Sequence, residues 1–510
     1  MVSVRSLGLS GISGYEVTVE CFLSGGLPAF DVVGLPDAAV RESRERVRAA
    51  VKTCGARFPV SRITVNLAPA GQRKEGTVYD LPILLGLLTA SEELPPLPED
   101  AAFLGELSLT GALRPVAGVL PMALCAARCG IRKLYVPARN AAEATLADGV
   151  TVYPVETVAQ LLEHLRGETP IPPAERWQPT GETLPMPDFS EVMGQENVKR
   201  ALEIAAAGGH NVLLVGSPGS GKSMLARRLP SILPDMTRQE SLQTTEVYSV
   251  AGMTDPAHPL VTQRPFRSPH HTASPVSLSG GGTVPRPGEI SLAHNGVLFA
   301  DELPEFNKHT LEVLRQPLED RLITIARAKY TITYPASFMF VASMNPCPCG
   351  YYGDPTHVCV CSPGQIQRYM NKISGPLLDR IDIQCEITPV PFKDISKAQP
   401  GEPSSAIRER VIKARQRQEL RYKDIPGVHC NAQMTERMIH QYAEPDEAGI
   451  SLLRMAMERL NLSARAYNRI LKVARTIADI EGSEQLQPSH LAEAISYRNL
   501  DRSDWAERGV

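Results

Sequence analysis

The pattern of apolar and polar positions predicts short strands and helices in alternation over the first 165 residues. Strict alternation in EVTVECFL and RITVNLA is typical of half-buried strands, and KLYVP adds a third strand. Apolar positions recur with helical spacing between Asp37 and Cys54, while the continuous apolar run YDLPILLGLLTA indicates a buried helix. Residues 1–165 are therefore predicted to form an α+β domain.

The same criteria divide the rest of the chain into three segments. Proline and glycine interrupt residues 166–188, which predicts a semi-rigid linker. Residues 189–394 contain three strand-like apolar runs, NVLLVG, GVLFA and SFMFVAS. Residues 395–510 are helical in pattern, with one long helix predicted from Ile450 to its end at Gly482. A multidomain α/β fold follows, because 510 residues are too many for one hydrophobic core.

Composition adds little to this organisation. The chain is 43% hydrophobic and 21% charged, and it has no apolar run long enough to cross a bilayer. Its first twenty residues alternate like a strand and lack the layout of a signal peptide, so we expect a cytoplasmic protein without membrane association. The net charge of −3 means that any nucleic-acid-binding surface must be local.

The most specific chemistry lies in residues 211–223, NVLLVGSPGSGKS. An apolar strand leads into eight residues that fit the G-x-x-x-x-G-K-[ST] phosphate-binding pattern, and a helix-like segment follows. The glycines let backbone N–H groups converge on an anion, and the next helix points its positive dipole end at it. We predict contact of Lys222 with the β- and γ-phosphates and of Ser223 with Mg²⁺. The predicted nucleotide-binding residues are Gly216, Ser217, Pro218, Gly219, Ser220, Gly221, Lys222 and Ser223.

A nucleotide site of this kind also needs a carboxylate for Mg²⁺ at the end of a buried strand. GVLFA at residues 296–300 runs into Asp301 and Glu302. We predict that Asp301 holds Mg²⁺ through water and that Glu302 polarises the attacking water as a general base. The alternative is a strand that ends in two solvated acids.

Four of the ten cysteines form a cluster in the sequence. Two C-x-C pairs flank a nine-residue loop rich in turn-forming residues, which would let four thiolates close around a tetrahedral Zn²⁺. His357 could replace one thiolate, and four reduced cysteines or a redox disulfide are the alternatives. A structural rather than a catalytic metal is predicted, since no open coordination position is evident. The cysteines concerned are Cys347, Cys349, Cys359 and Cys361.

A resemblance to AAA+ ATPases assigns further roles. Gly194-Gln195 is similar to the motif of that family that contacts adenine, which implies ATP as the nucleotide. The strand SFMFVASMN ends in Asn345, which resembles the sensor 1 residue that orients the lytic water. The resemblance implies that residues 189–394 form a P-loop domain, a parallel sheet with helices on both faces. The C-terminal segment resembles the helical lid of an AAA+ module.

Two arginines are implied to complete the ATP site by the same resemblance. GPLLDRID is similar to the arginine-finger segment, so Arg380 would act in trans on the ATP of a neighbouring subunit. The alternative is a structural ion pair with Asp379 or Asp382. LSAR resembles sensor 2, which implies that Arg465 reaches the γ-phosphate in cis. A trans-acting finger implies a closed homo-hexamer.

Two insertions resemble those shared by replicative MCM helicases and the motor subunits of magnesium chelatase. The first, residues 252–289, is similar to the helix-2 insert, and LEDRLITIARAKYTITYPASF is similar to the hairpin before sensor 1. In helicases such hairpins follow the DNA backbone, which implies DNA contacts for Arg327 and Lys329. Phosphate contact and a packing role both remain open for three basic residues of the first insert, Arg267, His270 and His271.

A stripe of basic residues recurs on one face of the predicted helix SSAIRERVIKARQRQELRYKD. Such a stripe either lies in solvent or faces DNA. Its members are Arg410, Lys413, Arg417 and Arg421.

The N-terminal domain resembles the Lon-type protease domain over residues 103–137 and in APAGQRKEGTVYDLPI. That family uses a Ser–Lys dyad. No serine occupies the nucleophile position near Asp80, and Leu120 stands where the family has its lysine. The resemblance therefore implies a catalytically inactive domain used for assembly or DNA contact.

As a whole the chain is identified as a member of the ComM/YifB family of magnesium-chelatase-like AAA+ ATPases, from FRSPHHTASPVSLSGGG, SMNPCPCGYYG and SGPLLDRIDI. This resemblance implies an ATP-dependent hexameric DNA motor, a helicase for branch migration in homologous recombination and natural transformation. Its implied partners are single-stranded or branched DNA and recombination proteins. Two other functions are weighed: a chelatase-type motor that remodels a protein partner for Mg²⁺ insertion, and a Lon-like ATP-dependent protease, which the missing Ser and Lys oppose.

Overall fold

The computed structural model describes residues 1–179, 185–282, 285–327, 330–389, 401–460 and 462–498. Its contacts divide the chain into two compact units, each with its own hydrophobic core. The first unit comprises residues 1–182 with 237–262, and the second comprises residues 183–236 with 263–510.

The first unit is an α+β arrangement with separate small sheets. Its largest sheet has the order β1-β2-β4-β3, in which only the β3–β4 pair is parallel. A parallel sheet follows with the order β5-β8-β9, and β6 pairs with β7 as a hairpin. The strands are β1 (Val2–Ser10), β2 (Ser13–Ser24), β3 (Ala29–Val33), β4 (Arg62–Ala68), β5 (Ala101–Phe103), β6 (Glu106–Leu107), β7 (Leu113–Arg114), β8 (Lys133–Pro137) and β9 (Thr151–Val155).

Helices pack against these sheets as the apolar pattern predicts. The Asp37 side chain caps the first helix by accepting a hydrogen bond of 2.8 Å from the Val40 N–H, and the second helix is apolar around its whole circumference because it is buried on all sides. The helices are α1 (Ala38–Thr53), α2 (Asp80–Ala90), α3 (Val119–Arg128), α4 (Ala141–Ala144) and α5 (Val158–Arg166).

A segment from the middle of the chain completes the first unit. Residues 237–262 contain α8 (Arg238–Ala251), whose Ser249 carbonyl accepts a hydrogen bond of 2.9 Å from the Gly118 N–H. The buried Glu143 carboxylate accepts hydrogen bonds from the hydroxyl of Ser249 and, at 3.1 Å, from the Leu120 N–H. Burial raises the pKa of Glu143. The start of the helix-2 insert therefore groups with the N-terminal residues, whereas the sequence placed it with residues 189–394.

Asp80 and Leu120, which mark the positions of the Lon-type dyad in the sequence, are buried in this unit. The Asp80 carboxylate is fully buried and accepts two hydrogen bonds from Arg46, at 2.5 and 2.9 Å. Leu120 is buried in α3. Neither position carries the serine or the lysine of a Ser–Lys dyad.

The second unit is built on a five-stranded parallel sheet with the order β11-β14-β17-β10-β18. Its central strands are apolar at nearly every position, as expected when helices cover both faces. Two short antiparallel pairs, β12–β13 and β15–β16, stand outside it. The strands are β10 (Val212–Gly216), β11 (Phe266–Arg267), β12 (Gly280–Gly281), β13 (Arg286–Pro287), β14 (Val297–Ala300), β15 (Leu322–Arg327), β16 (Tyr330–Pro335), β17 (Met339–Met344) and β18 (Ile383–Ile387).

The helices of the second unit cover this sheet and continue into a helical end. Those within the sheet domain are α6 (Glu196–Gly208), α7 (Lys222–Ile232), α9 (Pro275–Ser279), α10 (Glu289–Leu292), α11 (Lys308–Val313), α12 (Arg315–Asp320), α13 (Pro363–Met370) and α14 (Gly375–Leu378). Those of the helical end are α15 (Ser404–Tyr422), α16 (Glu436–Tyr442), α17 (Glu447–Leu460), α18 (Ala464–Glu481) and α19 (Pro488–Ser496).

The long helix predicted from Ile450 to Gly482 is wrong, because the structure has two helices there. The side chain of Ser463 accepts a hydrogen bond of 3.2 Å from the Ala466 N–H and so starts α18 anew. Gly482, with a φ of 80°, ends that helix as predicted.

The basic stripe of α15 makes internal contacts instead of facing DNA. Arg410 pairs with Glu402 and Glu203, and Arg417 donates a hydrogen bond to the backbone carbonyl of Asp479. Arg421 donates two hydrogen bonds to the Asp479 carboxylate, at 2.8 and 2.5 Å. Because three of the four charges are used within the protein, the stripe offers no continuous basic surface.

Among the described residues, none of the helices combines the length and the apolar character that a membrane span requires.

We predict that Asp479→Asn loosens the helical end. The fully buried Asp479 carboxylate is bound by Arg421, Arg475 and the Asn431 amide, so removing its charge leaves buried guanidinium groups without a counter-charge, at a cost of about 3–5 kcal/mol. Hydrogen exchange of the α18 amides measures this locally, and Glu409→Gln, in the exposed pair with Lys413, is the matched control. Equal exchange in both variants would contradict the prediction.

Candidate nucleotide-binding and hydrolysis site

The predicted nucleotide residues meet at one edge of the parallel sheet. Strands β14, β17 and β10 are adjacent, and each ends at the same, carboxyl edge because they run in parallel. Asp301 follows β14, Asn345 follows β17, and the phosphate-binding pattern follows β10. Segments far apart in sequence therefore deliver their polar side chains to one place.

The loop after β10 is shaped to receive an anion. Gly221 has a φ of 92°, a conformation that favours glycine, and it starts α7 without a side-chain cap, which leaves the helix N-terminus for a ligand. Gly219 also has a positive φ, of 77°. The hydroxyl of Ser220 is buried and finds no hydrogen-bond partner among the described residues. These features fit a phosphate group.

Lys222 is held over this loop by neutral acceptors. Its Nζ donates hydrogen bonds to the carbonyls of Gly216 at 2.7 Å and Ser217 at 2.9 Å, and to the side-chain oxygen of Asn345 at 3.2 Å. Burial lowers the pKa of Lys222, and the carboxylates of Asp301 and Glu302 oppose that shift. The ammonium is thus directly linked to the predicted sensor residue.

Ser223 and Asp301 form an oxygen pair suited to Mg²⁺. The Ser223 hydroxyl donates a hydrogen bond of 2.7 Å to one carboxylate oxygen of Asp301, and the Ser343 hydroxyl donates one to the other. Hydroxyl and carboxylate oxygens are the ligands that Mg²⁺ uses beside nucleotide phosphates. The residues present therefore fit this ion.

Glu302 occupies an unusual backbone conformation next to this pair. Its φ is 53°, which is uncommon for a residue other than glycine, and its N–H donates a hydrogen bond of 3.3 Å to the Ser343 hydroxyl. The carboxylate is 58% exposed, and its Oε2 lies 3.4 Å from Nδ1 of His271. Glu302 thus carries an accessible carboxylate directly after Asp301.

Arg380 and Arg465 lie at the opposite, amino edge of the sheet. They share a cavity with Gly209, Asn211 and Asp382, which precede β10 and β18. Strand β10 is five residues long, so about 16 Å of backbone separates this edge from the phosphate loop. The structure thus brings Arg465 together with Arg380, and it does not bring Arg465 to the γ-phosphate position of its own chain.

Arg380 forms an ion pair, but with a different residue from the two aspartates that the sequence suggested. Arg380 pairs with Glu319, and neither Asp379 nor Asp382 takes that place. Asp379 instead lies 3.1 Å from the Arg465 guanidinium.

Asp382 is a buried carboxylate at this edge that contacts two basic side chains. Burial alone would raise its pKa, but Arg469 at 2.6 Å and His210 at 3.2 Å more than offset this and hold the pKa well below the usual range.

A cavity of about 240 Å³ adjoins the phosphate loop on the side of β18. Gly216 and Ser217 line one wall, and Thr388 lines another. The Gln195 side chain donates a hydrogen bond of 2.6 Å to the Thr388 carbonyl, which places the predicted adenine motif beside this cavity.

The four clustered cysteines converge in space. Their sulfur atoms all lie within 4.8 Å of one another, with distances from the Cys349 sulfur of 3.3 Å to that of Cys347 and 3.5 Å to that of Cys359. Four thiolates at about 2.3 Å from one tetrahedral Zn²⁺ would stand about 3.8 Å apart, so the cluster fits that ion. Burial opposes ionisation of Cys349, but hydrogen bonds from the N–H groups of Tyr351 and Val360 lower its pKa to about 6.

His357 does not join the cluster. It stacks on the ring of Tyr351 at 4.7 Å and lies 3.5 Å from the Asp354 carboxylate.

The predicted hairpin before β17 is present as the β15–β16 pair, in register from Leu322 opposite Pro335 to Arg327 opposite Tyr330. Lys329 and the side chain of Arg327 lie outside the described residues. Of the basic residues in the first insert, Arg267 pairs with both carboxylate oxygens of Glu289 at 2.7 Å, which is a packing role.

Sequence reasoning missed Ser343, which links Asp301 and Glu302. It is fully buried and contacts both the Asp301 carboxylate and the Glu302 N–H. The sequence could have indicated this residue, because Ser343 is a polar residue two positions before Asn345 in an otherwise apolar strand.

Family models match most of the chain. "Subunit ChlI of Mg-chelatase" matches residues 19–140, "Magnesium chelatase, subunit ChlI" matches residues 188–395, and "Magnesium chelatase, subunit ChlI C-terminal" matches residues 401–498. The first of these covers the region that resembles the Lon-type protease domain.

Curated relatives are similar over nearly the whole length. YifB of Salmonella typhimurium, itself uncharacterized, is 44% identical over 506 residues, which are 98% of this chain and 97% of the relative. The competence protein ComM of Haemophilus influenzae is 44% identical over 513 residues, with the same coverage. The magnesium-chelatase 38 kDa subunit of Rhodobacter capsulatus is 25% identical over 366 residues, 66% of this chain and 94% of the relative. With its parallel sheet and these full-length matches, the chain belongs to the ComM/YifB family of magnesium-chelatase-like proteins.

Proposed function

We propose that the second unit hydrolyses ATP and that the chain works as a DNA motor in a homo-hexameric ring. The observation that carries the ATPase proposal is the direct linkage of Lys222 to Asn345 and of Ser223 to Asp301 at one edge of the sheet. A phosphate-binding lysine, a polar sensor and a magnesium-binding pair are the parts that phosphoryl transfer needs.

Each residue of this edge has a proposed role. Lys222 binds the β- and γ-phosphates, which would replace the carbonyls of Gly216 and Ser217 as its acceptors. Asn345 orients the attacking water, and Glu302 accepts a proton from it. Ser223 and Asp301 hold Mg²⁺, which neutralises charge on the phosphates when bound. The cavity beside Gln195 receives the adenine.

We assign Arg380 and Arg465 to the ATP of a neighbouring subunit. Both guanidinium groups lie at the amino edge, away from the phosphate loop of their own chain. We propose a head-to-tail ring in which the amino edge of one subunit faces the carboxyl edge of the next, so that one interface would hold a complete site. This replaces the prediction that Arg465 acts in cis.

DNA is the proposed track of the motor. The support is the relative named as a competence protein, together with the β15–β16 hairpin, since Arg327 ends β15 and Lys329 lies between the two strands in the sequence. Lysine and arginine on such a tip would follow the phosphate backbone without reading bases. Recombination proteins are proposed as further partners. The similarity to a magnesium-chelatase subunit keeps protein remodelling as the second candidate.

The cysteine cluster is proposed to hold a structural Zn²⁺. The support is the convergence of four thiol groups at distances that suit one tetrahedral ion. No step of ATP hydrolysis requires it.

We predict that two variants separate nucleotide binding from turnover. Lys222→Ala removes the ammonium that binds phosphate, so this variant should no longer bind a fluorescent ATP analogue. Glu302→Gln should still bind the analogue but hydrolyse ATP about 10²–10⁴-fold more slowly. Lys413→Ala, an exposed lysine of α15, should match the wild type in both assays. Wild-type turnover by Glu302→Gln would rule out its role as the base.

We predict complementation between inactive chains if the arginines act in trans. Arg380→Ala should lose about 10³–10⁵-fold in turnover. Rings assembled from equal amounts of Arg380→Ala and Lys222→Ala chains then regain turnover, because about a quarter of interfaces pair an intact phosphate loop with an intact finger. The same recovery is expected with Arg465→Ala. Mixtures that stay as inactive as either variant alone would place the arginine in cis.

We predict that single-stranded or branched DNA stimulates ATP hydrolysis and that Lys329→Ala reduces this stimulation, since the lysine contacts phosphates. Lys308→Ala, on α11 outside the hairpin, is the matched control and should keep the stimulation. The assay is steady-state ATPase activity across a salt series. A rate unaffected by DNA at low salt would reject the DNA motor and favour remodelling of a protein partner.

A further inference from the structure

The cysteine loop, defined as residues 347–361, is built onto the phosphate loop. Cys347 follows Asn345 by two positions, and Asn345 accepts the hydrogen bond from Lys222. Gly350 of the cysteine loop lies so close to the phosphate loop that a Cβ at its position would stand 2.6 Å from Cδ of Pro218. The backbone of the cysteine loop at Gly350 therefore packs against the Pro218 ring of the phosphate loop, where the nucleotide phosphates would bind.

The same loop forms a wall of the cavity beside the phosphate loop. Tyr352, Gly353, Asp354 and Pro355 line that cavity together with Gly216 and Ser217. These four residues lie midway between the two cysteine pairs in the sequence. The position of these four residues therefore depends on how the cysteine pairs on either side of them are held.

The second end of the cysteine loop, residues 358–361, is not held in place by buried apolar side chains. Val358 is 88% exposed and Val360 is 83% exposed, while Cys359 and Cys361 alternate with them and point to the cluster. No helix or strand occurs in residues 347–361. A metal bound by the four thiolates would tie the second end of the loop directly to the first.

We infer that a divalent metal ion bound by Cys347, Cys349, Cys359 and Cys361, of the class that prefers four tetrahedral thiolates, fixes this wall and thereby sets the affinity of the site for nucleotide. The inference rests on the ATP site proposed above. Without the metal the nine-residue loop between the cysteine pairs regains conformational freedom, and binding of the nucleotide must order it again. Metal occupancy then controls the motor through nucleotide binding.

The first experiment uses the full-length wild-type protein. We expect one zinc per chain by elemental analysis, and we expect chelation to weaken binding of a fluorescent ATP analogue by about ten- to thirtyfold, the cost of closing a loop of this length. Cobalt(II) should restore the affinity and give the visible absorption of a tetrahedral thiolate site. Thermal unfolding of the chelated protein confirms that the second unit remains folded.

A pair of glycine variants tests the contact itself without touching a metal ligand. Gly350→Ala places a methyl group against Pro218, and Gly55→Ala, at a φ of 76° with open space around it, carries the same backbone strain elsewhere. Both should retain zinc, and only Gly350→Ala should lose nucleotide affinity. Cys359→Ser should lose both zinc and affinity, while Cys54→Ser, outside the cluster, should lose neither.

The outcomes separate the two proposals. A protein that binds nucleotide equally well with and without zinc would overturn the metal control and leave the ATP site standing. A protein that binds no zinc, or a Gly350→Ala variant with normal affinity, would also overturn the control. A protein that binds zinc but never binds the nucleotide analogue would overturn the ATP site and, with it, the inference built on it.

Discussion

The parallel direction of the five-stranded sheet is the constraint on which the rest of the second unit depends. It forces every strand to end at the same edge, so that Lys222, Asp301 and Asn345 meet although more than a hundred residues separate the first from the last. The same geometry sends the segments that precede strands to the other edge, where Arg380 and Arg465 lie. Because one subunit carries phosphate-binding groups at one edge and charge-stabilising arginines at the other, the proposed chemistry needs two subunits at each site.

Two segments border the sheet edge at which ATP is proposed to bind: the residues between α7 and β14, and the cysteine loop. After α7 the chain leaves the sheet unit, contributes α8 to the first unit through Ser249 and the buried Glu143, and returns at β11. The residues just after β11 include His271, whose imidazole lies beside the Glu302 carboxylate. The cysteine loop follows β17 and borders the phosphate loop. Both segments thus contact groups proposed to act on ATP.

The sequence was informative where a local pattern carries the physics. The apolar strands, the end of a helix at Gly482, the hairpin of β15 and β16 and the convergence of the cysteines all follow from neighbouring residues. It failed where tertiary partners decide. Arginines of the basic stripe on α15 pair with Asp479 and Glu203, which lie on other helices. The apolar periodicity continues through residues 450–481, so it does not reveal that a new helix begins after Ser463. The edge on which Arg465 lies depends on how the helical end packs, which no local pattern encodes.

The central claim is that each ATP site is shared by two copies of this chain. Single-particle cryo-electron microscopy of the full-length protein with a non-hydrolysable ATP analogue, Mg²⁺ and single-stranded DNA tests it most directly. The account predicts a closed ring of six subunits in which Arg380 and Arg465 of one subunit contact the γ-phosphate bound by Lys222 of the next. A nucleotide bound to a single chain, with its own Arg465 against the γ-phosphate, would contradict it.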